Sequence, residues 1–139
     1  MIKLKFRPVT WADAGPLYVW RTDPDTARHS FTPVPTWDNH LRWLSQELLD
    51  NHVYIGETKL GMPVCMVAVS DSAEVSIMVH PGLRCQGFAR QAIAWLQEDH
   101  STLFAKVLVG NTAGLKLFAA CDFNIVAAEL DFVLLEWKA

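Results

Sequence analysis

The sequence predicts a mixed α/β protein with about seven strands in the order βααβββαβαββ. Short runs of alternating or continuous apolar residues predict the strands, and apolar residues at helical spacing predict the helices between them. The chain has 139 residues, of which 51% are hydrophobic and 19% charged, so it is long enough for one substantial core. Because no linker, repeat or low-complexity tract interrupts the pattern, residues 1–139 are predicted to form a single domain.

The first fifty residues predict one strand and two helices. Residues 2–6 alternate between apolar and basic side chains, which is typical of a strand with one solvated face. Thr10 is a suitable N-cap for a helix that Asp23-Pro24 is expected to end or bend. The proline-containing residues 28–35 predict a loop, and Thr36 is expected to cap the second helix.

Three strands are predicted next. Residues 53–57 and the alternating residues 74–79 are typical strands, and the nearly continuous apolar run 64–69 predicts a central strand covered on both faces. Pro81 lacks the N–H that a strand needs and Gly82 tolerates positive φ, so the third of these strands is expected to stop there.

The C-terminal part is predicted to alternate helix and strand. Apolar residues recur at helical spacing from Phe88 to Leu96, and 105–109 predicts a buried strand. Asn111 is suited to cap a short helix. Residues 123–126 and 131–137 are then expected to form a closing antiparallel pair of strands.

The turn at residues 84–89 carries the strongest chemical signal. A helix start leaves about four backbone N–H groups without intrahelical partners and concentrates partial positive charge there. The small residues Gly87 and Ala89 let a ligand approach the backbone, and Arg84 is expected to add a full positive charge. These properties suit a pyrophosphate. An ordinary strand-to-helix turn is the alternative reading.

Composition excludes several classes of function. The net charge is −3 and there is no Lys/Arg run, so no nucleic-acid partner is predicted. No apolar run approaches the roughly 20 residues of a spanning helix, and no signal peptide is recognisable, so no membrane partner and a cytoplasmic location are expected. The three cysteines are far apart, which predicts neither a disulfide framework nor a metal site.

Two motifs together resemble the GCN5-related N-acetyltransferase (GNAT) family. Arg84, Gly87 and Ala89 fill the fixed positions of its motif A, Gln/Arg-x-x-Gly-x-Gly/Ala, directly after a predicted strand. Residues 111–123 are similar to its downstream segment, Asn-x-x-Ser/Ala followed by an aromatic residue and Gly-Phe. The resemblance covers nearly the whole chain. It implies the GNAT fold, with helices on both faces of a central sheet, and acetyl-CoA as the cosubstrate.

The resemblance also implies a cofactor site. The backbone N–H groups of residues 84–89 would take the pyrophosphate, and the pantetheine would lie between splayed strands near Val79. The implied residues are Met78, Val79, Arg84, Cys85, Gln86, Gly87, Phe88, Ala89, Arg90, Asn111 and Phe118. Two positions depart from the family pattern. Asp122 replaces a glycine, and Phe118 replaces the tyrosine held to protonate the departing thiolate of CoA.

The mechanism that the resemblance implies is direct transfer of an acetyl group to a primary amine. An amine near pH 7 is mostly protonated, so a general base is required. Glu74 is the first candidate because bases in the family often lie on this strand, and His80 is the second because its ordinary pKa suits the task. Either residue is also readily explained as a solvated surface group.

The N-terminal third resembles one branch more than others, the nucleotide-amino-sugar acetyltransferases of the pseudaminic-acid pathway. This implies a UDP-linked 4-amino sugar as acceptor, with candidate contacts at Trp20, Arg21, Arg28, His40 and Trp43. Arginine binds phosphate oxygens through two N–H groups, and tryptophan offers a flat face to a base or sugar. The alternatives are core positions for the tryptophans, a satisfied buried His40, and surface ion pairs of both arginines with Asp23 and Asp25.

Other functions compatible with the same fold remain open. The acceptor could be a protein N-terminal amine, a polyamine or an antibiotic, and a broad acidic groove would favour these. A CoA-binding module without turnover is a further alternative, since Phe118 has no proton to give. A dinucleotide-binding domain is disfavoured because the full Gly-x-Gly-x-x-Gly is absent. A homodimer is compatible with each of these readings.

Overall fold

The computed structural model describes residues 1–139. In chain order its strands and helices are β1 (Lys5–Pro8), α1 (Ala14–Thr22), α2 (Pro24–Arg28), α3 (Trp37–Asp50), β2 (Val53–Glu57), β3 (Pro63–Val69), β4 (Val75–Val79), α4 (Phe88–Glu98), β5 (Thr102–Leu108), α5 (Thr112–Ala120), β6 (Asn124–Ala128) and β7 (Phe132–Lys138). Short 3₁₀ turns precede α1 and follow β4. The mixed α/β class is confirmed, with one helix more than predicted.

The additional helix is α2, which begins where the sequence predicted an ending. Asp23 terminates α1 and its side chain accepts hydrogen bonds from the backbone N–H groups of Asp25 and Thr26. Pro24 occupies the first helical position, where its missing N–H costs nothing. The same dipeptide therefore stops one helix and starts the next. Arg28, predicted to lie in a loop, is the last residue of α2.

Helix α3 follows its predicted signals closely. The Thr36 side chain accepts a hydrogen bond from the Asn39 N–H at 3.2 Å, which confirms the predicted N-cap. Asn51 ends the helix in the left-handed conformation, with φ of 56°. This helix has 14 residues, and no helix in the structure combines the length and apolar character needed to cross a membrane.

The predicted sheet is divided into two. Strands β1 to β4 form an antiparallel sheet in sequential order, and β5, β7 and β6 form a second antiparallel sheet with β7 in the middle. The closing β6–β7 pair is therefore confirmed. One parallel bridge, between Glu74 and Phe104, joins the two sheets, and the Phe104 N–H donates to the Ala73 carbonyl at 2.8 Å. Beyond this bridge β4 and β5 diverge.

Two hydrophobic clusters cover opposite faces of the first sheet. The larger lies under α4 and α5 and includes Phe88, Ile93 and Phe118. The smaller lies under α1 and α3 and includes Trp20 and Met78. Strand β3 contributes to both clusters, which confirms the prediction that it is central and covered on both faces. Residues of β4 point alternately to the two clusters, so the open edge of β4 lies between both layers of helices.

Replacing Ile93 by alanine is expected to lower the free energy of unfolding by about 2–5 kcal/mol, because the side chain lies in the larger cluster with 0% exposure and its removal leaves a cavity. Ile125→Ala, at a side chain that is 60% exposed on β6, is the matched control and is expected to cost less than about 1 kcal/mol. Urea denaturation of both variants measures the difference, and equal losses would contradict the assignment of the core.

Candidate functional site

A cleft of about 900 Å³ opens where β4 and β5 diverge. Its walls are formed by β4 and the turn that follows it, by the first two turns of α5, and by α2 with the loop after it. The cleft thus has one side under α4 and α5 and another under α1 and α3. Most of the residues that the sequence singled out on β4 and on the turn line this space.

The open edge of β4 supplies unpaired backbone groups to the cleft. The His80 N–H donates to the Val64 carbonyl of β3 at 2.8 Å. Because hydrogen-bonding direction alternates along an antiparallel strand, the N–H and C=O groups of Ile77 and Val79 point away from β3 and towards β5. Since β5 has already diverged there, these groups are available to an extended ligand.

The turn before α4 exposes the start of a helix. Cys85 and Gly87 both have positive φ, at 61° and 83°, and Gly87 is the N-cap of α4 without a side chain to cap it. The first N–H groups of the helix therefore have no capping partner from the protein. Gly87, Phe88 and Ala89 line the cleft, and Gln86 lies outside the lining.

The Arg84 side chain is directed away from these N–H groups. Its guanidinium donates to Asp23 at 2.8 Å, to Asp25 at 3.2 Å and to the Thr26 hydroxyl at 2.6 Å. The hydrogen bond from Arg84 lowers the pKa of Asp23. This corrects the expectation that Arg84 adds a full positive charge to the turn, because two carboxylates already balance that charge. The residue instead ties the turn to α2.

The remaining predicted cofactor residues occupy three positions around the turn. Arg90 is exposed in the first turn of α4 and lines the cleft. Asn111 caps α5 by accepting a hydrogen bond from the Gly114 N–H at 2.9 Å, as predicted. Phe118 is buried edge-on against Phe123, with ring centroids 5.0 Å apart, at the inner wall of the cleft. Asp122 adopts φ of 70°, the left-handed conformation expected at its position.

The two candidate bases lie in different environments. Glu74 lines the cleft beside the bridge to Phe104, and its carboxylate makes no ion pair. His80 lies outside the cleft lining. Its Nδ1 accepts a hydrogen bond from the Gly82 N–H at 2.9 Å, and its ring faces Trp20 at 5.9 Å. Glu74 is therefore the candidate base that faces the cleft.

The predicted acceptor residues separate into two groups. Arg21 and Trp43 line the cleft. Trp20 and His40 are 2% and 0% exposed and belong to the interior, and Arg28 lies outside this cleft and forms an ion pair with Asp25. In this conformation only the first two can contact a ligand in the cleft. For Trp20 and His40 the structure matches the alternative reading of core positions.

Arg21 is held by two of its neighbours. Its Nη1 donates to His40 Nδ1 at 3.0 Å, and the guanidinium carbon lies 4.6 Å from the centroid of the Trp43 ring. His40 Nε2 donates to the Ala14 carbonyl at 2.8 Å, which fixes a neutral tautomer with Nδ1 as the acceptor. Burial lowers the pKa of His40 below its ordinary 6.5, and the charge of Arg21 acts in the same direction.

Two parts of the cleft wall were not predicted from the sequence. The loop after α2 lines the cleft, and Phe31 within it packs edge-on against Phe132 of β7. Lys106 of β5 also lines the cleft, with its Nζ 5.1 Å from the Phe31 ring centroid and 4.6 Å from that of Phe132. A signal was present for Lys106, which is the single charged residue within the apolar strand β5.

Outside the cleft, Glu47, Asp50 and His52 bring three potential metal-ligand atoms within 4.8 Å of one another. His52 Nε2 is already hydrogen bonded to Asp71 Oδ1 at 2.9 Å, and the group lies at the junction of α3 and β2. No role in the cleft follows from this arrangement.

The buried, neutral His40 predicts a loss of stability in acid. Its pKa is lower in the folded chain than the 6.5 of the unfolded chain, so only the unfolded chain gains a proton as the pH first falls below about 6.5. The free energy of unfolding should therefore decrease there, by at most about 1.4 kcal/mol per pH unit from this group. Urea denaturation between pH 5 and 8 measures it.

His40→Gln keeps one donor and one acceptor but cannot titrate, so its stability should fall less steeply with acid than that of the wild type. His29→Gln, at a histidine whose side chain makes no hydrogen bond, controls for the loss of a histidine elsewhere. Parallel pH profiles for the wild type and His40→Gln would contradict the neutral, buried assignment.

Solved acetyltransferase structures share this architecture at low sequence identity. The spermidine N-acetyltransferase from Vibrio cholerae, in complex with CoA and spermine, superposes with a TM-score of 0.85 at 15% identity, over 98% of this chain and 95% of that one. A protein from Salmonella typhimurium assigned as an acetyltransferase, with its cofactor acetyl-CoA, gives 0.78 at 16% identity, over 98% and 94%. The ribosomal-protein-alanine N-acetyltransferase from Brucella melitensis gives 0.77 at 20% identity, over 98% and 100%. These likenesses show the fold.

Sequence comparison supplies the family. No curated protein matches the chain. The model of the acetyltransferase (GNAT) domain, in contrast, matches residues 3–124, which include both motifs, the diverging strands and the turn before α4. The chain belongs to the GNAT acetyltransferase family.

Proposed function

We propose that this protein is an acetyl-CoA-dependent N-acetyltransferase that moves an acetyl group directly to a primary amine. The observation that carries the proposal is the combination, within one cleft, of an uncapped helix start and an open strand edge. The first suits a pyrophosphate and the second suits the amide groups of a pantetheine chain. Family membership supports the same chemistry.

The residues of the cleft fit two parts of CoA, the pyrophosphate and the pantetheine chain. The N–H groups at the start of α4 are uncapped, Gly87 presents no side chain to a phosphate, and Arg90 adds a positive charge that no carboxylate balances. Along β4, the backbone groups of Ile77 and Val79 are free to bond the pantetheine amides. When bound, acetyl-CoA supplies the activated acetyl thioester.

Within this scheme Glu74 serves as the general base, and an outward-facing backbone N–H of β4 near Val79 that is not bonded to the pantetheine stabilises negative charge on the thioester oxygen. Glu74 lines the cleft without an ion-pair partner, so it is available to take a proton from the amine through water. Phe118 cannot protonate the departing thiolate. In our proposal water supplies that proton, since the cleft is open to solvent.

The finer proposal for the acceptor is the 4-amino group of a UDP-linked amino sugar, for which Arg21 and Trp43 in the cleft are the supporting residues. Small-molecule amines and protein N-terminal amines are the second candidate class. The support for that class is the similarity in fold to the Vibrio cholerae enzyme, described with spermine, and to the Brucella melitensis ribosomal-protein-alanine enzyme.

Calorimetric titration with acetyl-CoA tests the cofactor site. Wild type is expected to bind, and Gly87→Glu is expected to lose binding because a carboxylate would face the pyrophosphate at the helix start. Gly61→Glu is the control: Gly61 has φ of 86° against 83° for Gly87, so both variants add the same charge at a positive φ, although a side chain at Gly87 also displaces the flexible end of Met1.

Because Gly61 lies in the turn between β2 and β3, away from the cleft, Gly61→Glu should bind as wild type does. Equal affinities of all three proteins for acetyl-CoA would reject the proposed location of the pyrophosphate at this turn. A folded wild type that does not bind acetyl-CoA would leave the GNAT fold without the proposed activity.

Glu74→Gln tests the base. The amide is nearly isosteric but takes no proton, so kcat with an amine acceptor should fall by about 10²–10⁴-fold while acetyl-CoA binding is retained. Raising the pH should restore part of the rate, because a larger share of the amine is then already neutral. Glu136→Gln, on β7 outside the cleft lining, is the control. A kcat within twofold of wild type would reject Glu74 as the base.

A further inference from the structure

We infer that the acceptor carries an anionic group in addition to its amine, and that Arg21 binds this group. The inference rests on the proposed function for the amine and extends it to the rest of the acceptor. It specifies an anionic, phosphate- or carboxylate-bearing amine, and it excludes polyamines as the preferred substrates.

The charge balance of the cleft is the first argument. Arg21, Arg84, Arg90 and Lys106 line it, against Asp25 and Glu74 only. Asp25 is engaged with Arg84 and Arg28, and Arg84 has Asp23 as a second carboxylate partner. On a chain whose net charge is −3, the cleft is therefore cationic. If Arg90 serves CoA and Glu74 the proton transfer, Arg21 and Lys106 remain on the acceptor side.

The second argument is that Arg21 is partly desolvated and has no carboxylate partner, so an anion would gain more from it than from a fully exposed arginine. It is half-buried and forms no ion pair, whereas Arg7, Arg28 and Arg84 each bond at least one carboxylate. One of its five N–H donors bonds His40, and no side-chain polar atom in the structure is both buried and unpartnered. The remaining donors are therefore not sealed in the interior, and Arg21 lines the cleft with a guanidinium whose planar arrangement of donors matches a carboxylate or phosphate.

The surroundings of Arg21 fix its position before a ligand arrives. His40 is locked between the Ala14 carbonyl and Arg21, and the Trp43 ring supports the guanidinium. Ordering a long side chain normally reduces affinity, and here that ordering is already complete in the free protein. His40 is accordingly a positioning residue for Arg21 and not a ligand contact.

Lys106 supports the inference from the opposite wall. Its ammonium lies against the rings of Phe31 and Phe132 and has no carboxylate within ion-pair distance. A polyamine would bring further positive charge into a cleft that already holds two cations without carboxylate partners, which is unfavourable where the cleft is partly desolvated. An anion would be attracted by both.

Acceptor pairs that differ only in an anionic group test the inference through kcat/KM. A UDP-linked 4-amino sugar is compared with the same sugar lacking UDP, glycine is compared with glycinamide, and spermidine is the cationic reference. We expect the anionic member of at least one pair to exceed its partner and spermidine by tenfold or more. A preference in the first pair indicates phosphate and in the second carboxylate. Equal or better activity with the uncharged amines or spermidine overturns the inference.

Variants connect the preference to Arg21. Arg21→Met should lower kcat/KM for the anionic acceptor by tenfold or more and leave KM for acetyl-CoA unchanged, as expected for loss of a charged hydrogen bond. Arg42→Met is the control, since Arg42 is exposed on α3 and bonds only Asn39. Lys106→Met provides a second, surface-exposed variant should Arg21→Met fold poorly, and a smaller loss is expected from it. Values within twofold of wild type overturn the assignment.

A binding measurement separates this inference from the proposed function. Protein saturated with CoA is titrated with UDP and with succinate, as probes of the two anion types. We expect one to bind, with at least tenfold weaker binding by Arg21→Met and no change in Arg42→Met. Anion binding without acetyl transfer to any amine would reject the catalytic proposal and keep the anion site. If neither UDP nor succinate binds at probe concentrations up to about 10 mM, the anion site is rejected, whatever amine the enzyme acetylates.

Discussion

The arrangement of the whole site depends on how far two neighbouring strands stay together. The Phe104 N–H reaches the Ala73 carbonyl at 2.8 Å, and no ladder between β4 and β5 continues beyond that point. If pairing continued, the backbone groups of Ile77 and Val79 would bond β5 and the cleft would be closed. The cost of these unmade hydrogen bonds is offset only where a ligand or water completes them. The open site is thus a property of the backbone first and of side chains second.

Side chains then divide the cleft into two regions of different character. At the turn before α4, the cleft offers backbone N–H groups and a glycine, because the charge of Arg84 is already matched by Asp23 and Asp25. On the side of α1 and α3, it offers side chains, with Arg21 held in place by His40 and Trp43. A cosubstrate common to a family suits the first kind of site. An acceptor particular to one member suits the second.

Local signals made most of the fold predictable. Thr36 and Asn111 were recognised as helix caps because a cap acts within three residues. Alternation and turn residues predicted strands at 53–57 and 74–79, which the structure places at Val53–Glu57 and Val75–Val79. Asp23-Pro24 was correctly predicted to end the first helix, but the start of α2 at the same place was missed because the residue types that stop a helix are also those that start one. The division of the sheet was not predictable, since it depends on contacts between strands that are separated by the whole of α4.

For the candidate site, too, the local motif was predictable from the sequence and the long-range contacts were not. The turn at residues 84–89 is a local motif and could be found, but the partners of Arg84 lie about sixty residues away and left no mark near it. Arg21 and Arg28 were indistinguishable in the sequence. They differ because one lies in the last turn of α1 facing the cleft, while the other ends α2 and bonds Asp25. The two arginines thus lie on different helices, and the second of these helices, α2, was not predicted.

The bonds from Arg84 to Asp23, Asp25 and Thr26 also constrain how this sequence can diverge. Loss of either acidic residue alone leaves the guanidinium with a carboxylate partner, but loss of Asp23 also removes the N-cap of α2. Loss of both would leave the Thr26 hydroxyl as the remaining partner, so that an unbalanced positive charge would lie beside the turn for which we propose a pyrophosphate, and the connection of α2 to that turn would weaken. The affinity of the turn for a nucleotide and the mobility of α2, which forms part of the cleft wall, would then change together. Substitutions in α2 and in the turn before α4 are therefore expected to be coupled, although the two segments are distant in the chain.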